Sequence, residues 1–379
     1  MLIVFIICIF TLFYVYLGYP LAVVVCSMFM EKKIEKYIHE PVITILIAAY
    51  NEEVHIGATI QNKLELDYPK DKLEIIVISD GSTDGTDEIA QRFENQGVRL
   101  IRQEPRKGKT AALNLAVPHA GGEIIAFSDA NSIYASDALK KMARNFKNPD
   151  VGYVTGKMIY INSNGSSLGD GCSAYMKYEN LLRAYETKIG STVGVNGGVD
   201  IVRKELYKTM RDDQLPDLIL PLMVIEQGYR VIYEPDAIVM ESSLDKTHDE
   251  YKMRVRVTLR ALWALYDMRK LLNIVQFKLF AWQVLTHKFL RYLGFIFLIG
   301  LYVSNVFLVS KAAFWGFIYV LQHLFYALVL LVHTRTKKQK SVGLLYIPYY
   351  FVLLNIAAAH AFMKFLRGQR QVTWTPRAG

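Results

Sequence analysis

The chain has 379 residues, of which 52% are hydrophobic, and its 44 Lys and Arg against 35 Asp and Glu give a formal charge of +9. That length fits roughly one to three domains, and three scattered cysteines exclude a disulfide scaffold. Residues 2–30, 292–310 and 312–334 carry no formal charge whereas 40–250 read as an ordinary soluble domain, which excludes both a purely soluble enzyme and a disordered regulator.

The first segment, 1–30, has no basic residue, and its apolar run is about twice the ~7–15 residues of a signal peptide, so an uncleaved transmembrane anchor is expected. Lys32, Lys33 and Lys36 follow at once. By the positive-inside rule they place the chain from residue 31 onward in the cytoplasm.

From 41 to 248 short apolar runs alternate with helical stretches. Strands are predicted at 42–50, 73–79, 98–102 and 123–128, and helices at 53–66, 84–95, 108–119 and 136–146. Four strand–helix units in series predict an α/β fold with a mostly parallel sheet covered on both faces. Ligands of such sheets sit at the carboxyl ends of the strands. Polar residues gather there: Asn51 and Glu52 after the first strand, Asp80 after the second, Asp129 and Asn131 after the fourth. A carboxylate and an amide oxygen two residues apart suit a hard divalent cation such as Mg²⁺ or Mn²⁺, although a strand-terminal Asp that merely caps a turn gives the same tripeptide. Arg106, Lys107 and Lys109 precede a helix, where cations oppose the macrodipole unless an anion docks beside them. Neither GxGxxG after the first strand nor a P-loop is present.

Residues 249–286 are too polar to span a bilayer, and Leu259, Leu262, Trp263 and Tyr266 at helical spacing among arginines predict amphipathic helices at the membrane interface. Within 287–366 three spanning helices are expected, at 289–310, 312–333 and 342–365, the last kinked by Pro348. That count leaves the tail, 367–379, outside, against the positive-inside rule, because the tail carries Arg367, Arg370 and Arg377.

The segments ILIAAYNEE (45–53), IVISDGSTDGT (76–86), RKGKTAALN (106–114) and FSDAN (127–131) resemble, in order and spacing, the family-2 glycosyltransferases. These are inverting enzymes with a Rossmann-like GT-A nucleotide-sugar fold. The flanking helices look like those of the bacterial membrane-integrated branch that builds cell-surface polysaccharides or exopolysaccharides. The resemblance implies that Ala49, Glu52 and Asp80 hold the uracil and ribose of a UDP-sugar. It further implies that Lys109 lies near the diphosphate, and that Asp129 and Asn131 hold the divalent metal at the ends of the family's DxD motif. VGVNGGVDIVRKELY (193–207) resembles the acceptor segment, with Gly197 and Gly198 at its Gly-Ala positions. LPDLILPLMVIEQGYRVIYEP (215–235) places Asp217 at the catalytic base, with Pro216 where an acidic residue is usual. Of the QxxRW motif of processive members only Arg256 survives, as a further diphosphate ligand. Trp374-Thr375-Pro376-Arg377 resembles a cytoplasmic motif that follows the last helix of related synthases.

The expected function is transfer of a sugar from a UDP-sugar to a lipid-linked or glycan acceptor, by one or few additions, in a bacterial cell membrane. A processive synthase of hyaluronan, cellulose or poly-GlcNAc type is one alternative, and a non-catalytic sugar-binding subunit of an export complex is another. Membrane-adjacent cations drawn to anionic lipid account for the charge, so no nucleic-acid partner is expected.

Overall fold

A computed structural model of the chain describes residues 1–161, 167–242, 247–337 and 343–373. It divides into a helical unit (Met1–Cys26, Asn162–Lys177 and Ser243–Arg370) and a sheet unit (Ser27–Ile161, Tyr178–Ser242 and Gln371–Gly379).

The chain enters through α1 (Leu2–Phe13) and α2 (Tyr19–Phe29), joined without a break by a π turn over Tyr14–Gly18. Leu2–Phe29 is long and apolar enough to cross a membrane, and it leaves Ile3, Phe10 and Leu21 exposed as a lipid-facing helix would.

The sheet unit then alternates β1 (Ile43–Ala49), α3 (Ile56–Leu64), β2 (Leu73–Asp80), α4 (Thr86–Gln91), β3 (Val98–Gln103), α5 (Lys109–Ala116), β4 (Ile124–Asp129), β5 (Ile133–Tyr134) and α6 (Ala138–Ala143). After β6 (Val151–Ile161) come α7 (Ser167–Ile189), β7 (Asp200–Arg203), α8 (Pro216–Glu226) and β8 (Arg230–Ser242). Every residue of β1 is buried, because helices cover both faces of a central parallel strand; hence its unbroken run of Ile, Leu and Ala. The four predicted strands form the parallel block β3-β2-β1-β4 of an eight-stranded sheet. The order continues β7-β6-β8-β5, with β7 antiparallel to both β4 and β6. The sheet is therefore mixed, and its second half did not announce itself in the sequence.

The helical unit continues with α9 (Thr247–Asp267), α10 (Ile274–Gln283), α11 (Gly294–Leu308), α12 (Ala313–Lys337) and α13 (Tyr346–Leu366). Ala313–Thr336 and Tyr346–Leu366 are long and apolar enough to cross a membrane. The segment expected at 289–310 is not one straight helix: Ile274–Leu290 meets Gly294–Leu308 at a 60° bend. Pro348 does not kink the last helix, because it falls in the first turn of α13, where an N–H has no intrahelical partner to lose. Part of the apolar stripe of α9 packs within the helical unit. Val255, Leu259 and Leu262 pack on Ala357 and Ala361 of α13, flanked by Trp263 and Phe365. Arg254 is held there too, its Nε donating to Glu250 (2.7 Å) and its guanidinium to the Tyr350 hydroxyl (2.7 Å).

The end of the chain lies beyond the helical unit. Past α13 it joins the sheet unit, where the carbonyl oxygen of Val372 lies 3.0 Å from where a Cβ on Gly108 would stand. The Trp374-Thr375-Pro376-Arg377 motif lies outside the described residues.

Candidate functional site

Three elements bring charged side chains together at the carboxyl edge of the parallel block. Asp129 ends β4, Lys109 opens α5, and Asp217 is the second residue of α8. The Lys109 Nζ lies 2.6 Å from Asp129 Oδ1 and 3.6 Å from Asp217 Oδ1. Burial works against its charge, yet Asp129 and Asp217 outweigh that and hold Lys109 above the ordinary lysine range. Pro216 opens α8 without cost, since the first N–H of a helix has no partner, and the positive end of the helix favours the Asp217 carboxylate beside it. Asp217 stays one-third exposed (33%) and is open to a second reactant. Asp213 pairs instead with Arg211 at 3.1 Å.

Asp80 ends β2. It is fully buried, and its carboxylate accepts from Gln103 Nε2 (2.5 Å), the N–H of Lys107 (2.8 Å) and the N–H of Gly108 (2.9 Å). Its lone pairs are thus committed to shaping the loop that carries Lys109. The same loop lays the Arg106 guanidinium 3.4 Å over the Tyr50 ring. Ala49 is buried at the tip of β1. Glu52 follows in a turn stitched to the start of α4 and the loop before it: its N–H donates to Thr86 Oγ1 (2.8 Å), and Asn51 Oδ1 accepts from the N–H of Thr83 (2.8 Å).

Asp129 and Asn131 flank a turn that α3 grips from beneath. Thr59 Oγ1 donates to the Ala130 carbonyl (2.6 Å), Lys63 Nζ to the Ser132 carbonyl (2.6 Å) and Asn62 Nδ2 to the Tyr134 carbonyl (2.9 Å). Lys63 is fully buried under the Tyr134 ring, and burial pushes its amine well below the usual range, against the pull of Glu241. Sequence reasoning missed this support, although Thr59, Asn62 and Lys63 at i, i+3 and i+4 are polar on the inward face of a helix.

On the other side of the cluster, Gly197 has φ +84°, and a Cβ there would stand 2.7 Å from Asp217 Oδ2. Only glycine fits this contact. Gly198 makes room inward, since a Cβ on it would meet Glu241 Oε1 at 2.6 Å and Ser132 Oγ at 2.8 Å. Sequence reasoning also passed over Asp200, 1% exposed, whose Oδ2 accepts the Gly197 N–H at 2.7 Å. Burial, with the charge of Asp217, raises its carboxyl to about 7, against Thr155, Gly197 and Lys109, which favour the ionised form. Arg256 lies on α9 of the helical unit, outside the unit that holds the cluster.

Residues 44–202 match the family model Glycosyl transferase family 2. A poly-beta-1,6-N-acetyl-D-glucosamine synthase of Staphylococcus epidermidis is 27% identical over 362 residues, which cover 88% of this chain and 86% of that protein. A protein of the same description from Staphylococcus aureus (strain COL) is 31% identical over 221 residues, 56% of this chain and 53% of that one. A mannosyltransferase from Pyrobaculum calidifontis, solved with GDP-Man and Mn²⁺, shares the fold with a TM-score of 0.72 at 22% identity, covering 97% of this chain and 99% of that one. The parallel block, with Lys109 and Asp129 at its carboxyl edge, thus coincides with the stretch that carries the family likeness, and the chain is a glycosyltransferase with a family 2 domain of GT-A fold.

Proposed function

We propose that this glycosyltransferase is membrane-bound and inverting, and that it moves a sugar from a UDP-sugar onto a lipid-linked or polysaccharide acceptor. The observation that carries the reading is the meeting of Lys109, Asp129 and Asp217 from three separate elements, with the backbone of Gly197 against Asp217. Asp217 is the general base, a role worth ~10²–10⁴ in rate. The acceptor oxygen bonds to the anomeric carbon while its proton passes to Asp217. The bond from that carbon to the diphosphate breaks, and both electrons leave on UDP. One displacement inverts the configuration, so an α-linked donor gives a β-linked product.

Lys109 faces the charge that grows on the leaving diphosphate. The nucleoside end lies along Ala49, Glu52 and the loop held by Asp80. Among the described residues no group of three His, Cys, Asp or Glu side chains could hold a metal. A single carboxylate with an amide nevertheless fits a cation that takes the rest of its shell from phosphates and water: Asp129 keeps an oxygen clear of Lys109, and Asn131 stands two residues on. Asp129 and Asn131 would hold Mg²⁺ or Mn²⁺, which supplies Lewis-acid neutralisation of the diphosphate. The acceptor approaches along Gly197 and Gly198.

Lys32, Lys33 and Lys36 after the first helix orient the sheet unit to the cytoplasm. Arg335 and Lys337 put the end of α12 in the cytoplasm as well.

A processive synthase acting on UDP-N-acetylglucosamine is a second reading, favoured by the match to 86% of the length of a poly-beta-1,6-N-acetyl-D-glucosamine synthase. UDP release by the lipid-reconstituted protein, across UDP-sugars and GDP-mannose with Mg²⁺ or Mn²⁺, tests both readings. Release with one UDP-sugar, abolished by EDTA and by Asp217→Asn, supports the proposal, and a ladder of product lengths selects the processive form. Release with GDP-mannose alone, or no binding of UDP at all, overturns the donor assignment.

A further inference from the structure

Asp200 is a carboxyl buried in the sheet, beside the hydroxyls of Thr155 and Tyr153. It opens a sheet strand between Val199 and Ile201, both fully buried, and stands opposite Phe127 of β4 and Thr155 of β6. An apolar β-branched residue would fill that position without the desolvation a carboxyl suffers. Besides these sheet neighbours the carboxyl has a partner in the acceptor turn: Oδ2 takes the N–H of Gly197 at 2.7 Å. A second tie binds the same turn, from the N–H of Asn196 to Thr155 Oγ1 at 3.1 Å. The turn is what Asp217 rests on, for there is no room between Gly197 and the Asp217 carboxylate for even one methyl group. Moving the turn by a few tenths of an ångström either opens a gap beside the base or drives into it.

We propose that Asp200 is a positioning residue for the transfer reaction: its carboxyl pins the Gly197 turn to the sheet and so sets where the Asp217 carboxylate points. Through β7 it ties the acceptor turn to β4, whose tip is Asp129, so that base and donor side share one rigid reference. The role rests on Asp217 being the base.

The test compares Asp200→Val, which keeps the strand but removes the acceptor of the Gly197 N–H, with Asp200→Asn, whose amide oxygen still accepts it. In the lipid-reconstituted full chain, Val is expected to lower turnover at saturating donor by about 10–100-fold, since a misaligned base costs that much, with UDP affinity changed less than about twofold. Asn is expected to restore turnover to within about threefold of the parent, because it keeps the hydrogen bond. Full turnover in Val overturns the proposal, as does an equal loss in Asn and Val, or a loss of UDP binding in step with turnover. If Val does not fold, Asn decides: a near-parental rate upholds the proposal and a rate down by about 100-fold overturns it. Asp217→Asn measured alongside separates the two readings. If Asp217→Asn is inactive and Asp200→Val is active, the positioning role alone fails; if Asp217→Asn is active, the base assignment fails first.

Discussion

The two halves of the sheet hold their chemistry in different ways. On the β3-β2-β1-β4 side each polar group stands at or just beyond the tip of a parallel strand, as Asp80 and Asp129 do, and short contiguous motifs carry it. On the β7-β6-β8-β5 side the groups come from a turn, the first residue of a short antiparallel strand and the second residue of a helix: Gly197, Asp200 and Asp217. The first half is a preformed edge in which the side chains come to the ligand. The second is an assembly in which backbone fit decides, and small displacements there cost more.

Substitutions on the two sides should therefore fail differently. The largest effect is expected from Asp217→Asn: turnover falls by ~10²–10⁴ with UDP binding intact, read by UDP release beside calorimetry. Intact turnover would remove the base from the second half altogether. Lys109→Ala should act on the donor side, weakening UDP binding by about 10–100-fold through loss of a charge-assisted contact worth ~1.5–3 kcal/mol. Its signature is a raised Kd, where Asp217→Asn has none. Gly197→Ala adds a methyl 2.7 Å from Asp217 Oδ2 at a positive φ. A strain of about 1–2 kcal/mol predicts a roughly tenfold loss in turnover with UDP affinity kept, and a raised Kd instead would place Gly197 with the donor.

The smallest effect is thermal and depends on pH. The Asp200 carboxyl sits at about 7 in the folded chain, above the ordinary value. The stability it contributes is therefore complete below about pH 4 and is lost as pH rises through 7. Asp200→Asn removes that dependence, so its melting temperature relative to the parent should rise by about 2–4 °C between pH 5 and pH 8. A flat difference would show that the carboxyl is not perturbed by its site.

The same contrast explains what the sequence made legible. Asp129 could be found because β4 is an unbroken apolar run, IIAFS, ending in a carboxylate, and a buried parallel strand writes its own boundary. Asp217 could be placed only by family likeness, since an Asp after a proline at a helix start reads equally well as a capping residue. β7 is four residues long and pairs with strands 70 or more positions upstream on one side and about 50 on the other, so no local period marks it. The predicted helices ran longer than those observed: 84–95 became Thr86–Gln91, because Phe93 and Gly97 turn the chain into a tighter coil before β3. Asp80 was legible at its strand tip, but not the N–H groups of Lys107 and Gly108 that its buried carboxylate accepts from, because they lie more than 25 positions downstream. The amphipathic pattern of α9 was legible as a pattern, but its partner was not, because helix and lipid present the same apolar surface to Leu259 and Leu262.

The contact of Val372 with Gly108 reaches into how this protein can be handled. Gly108 has φ +96° and gives its N–H to Asp80, so the loop beneath the tail has no slack. A bulky label at Val372 would push on that loop, and a preparation labelled there would understate the native affinity for nucleotide. A label ahead of Met1, on the helix that enters the membrane, leaves the loop untouched.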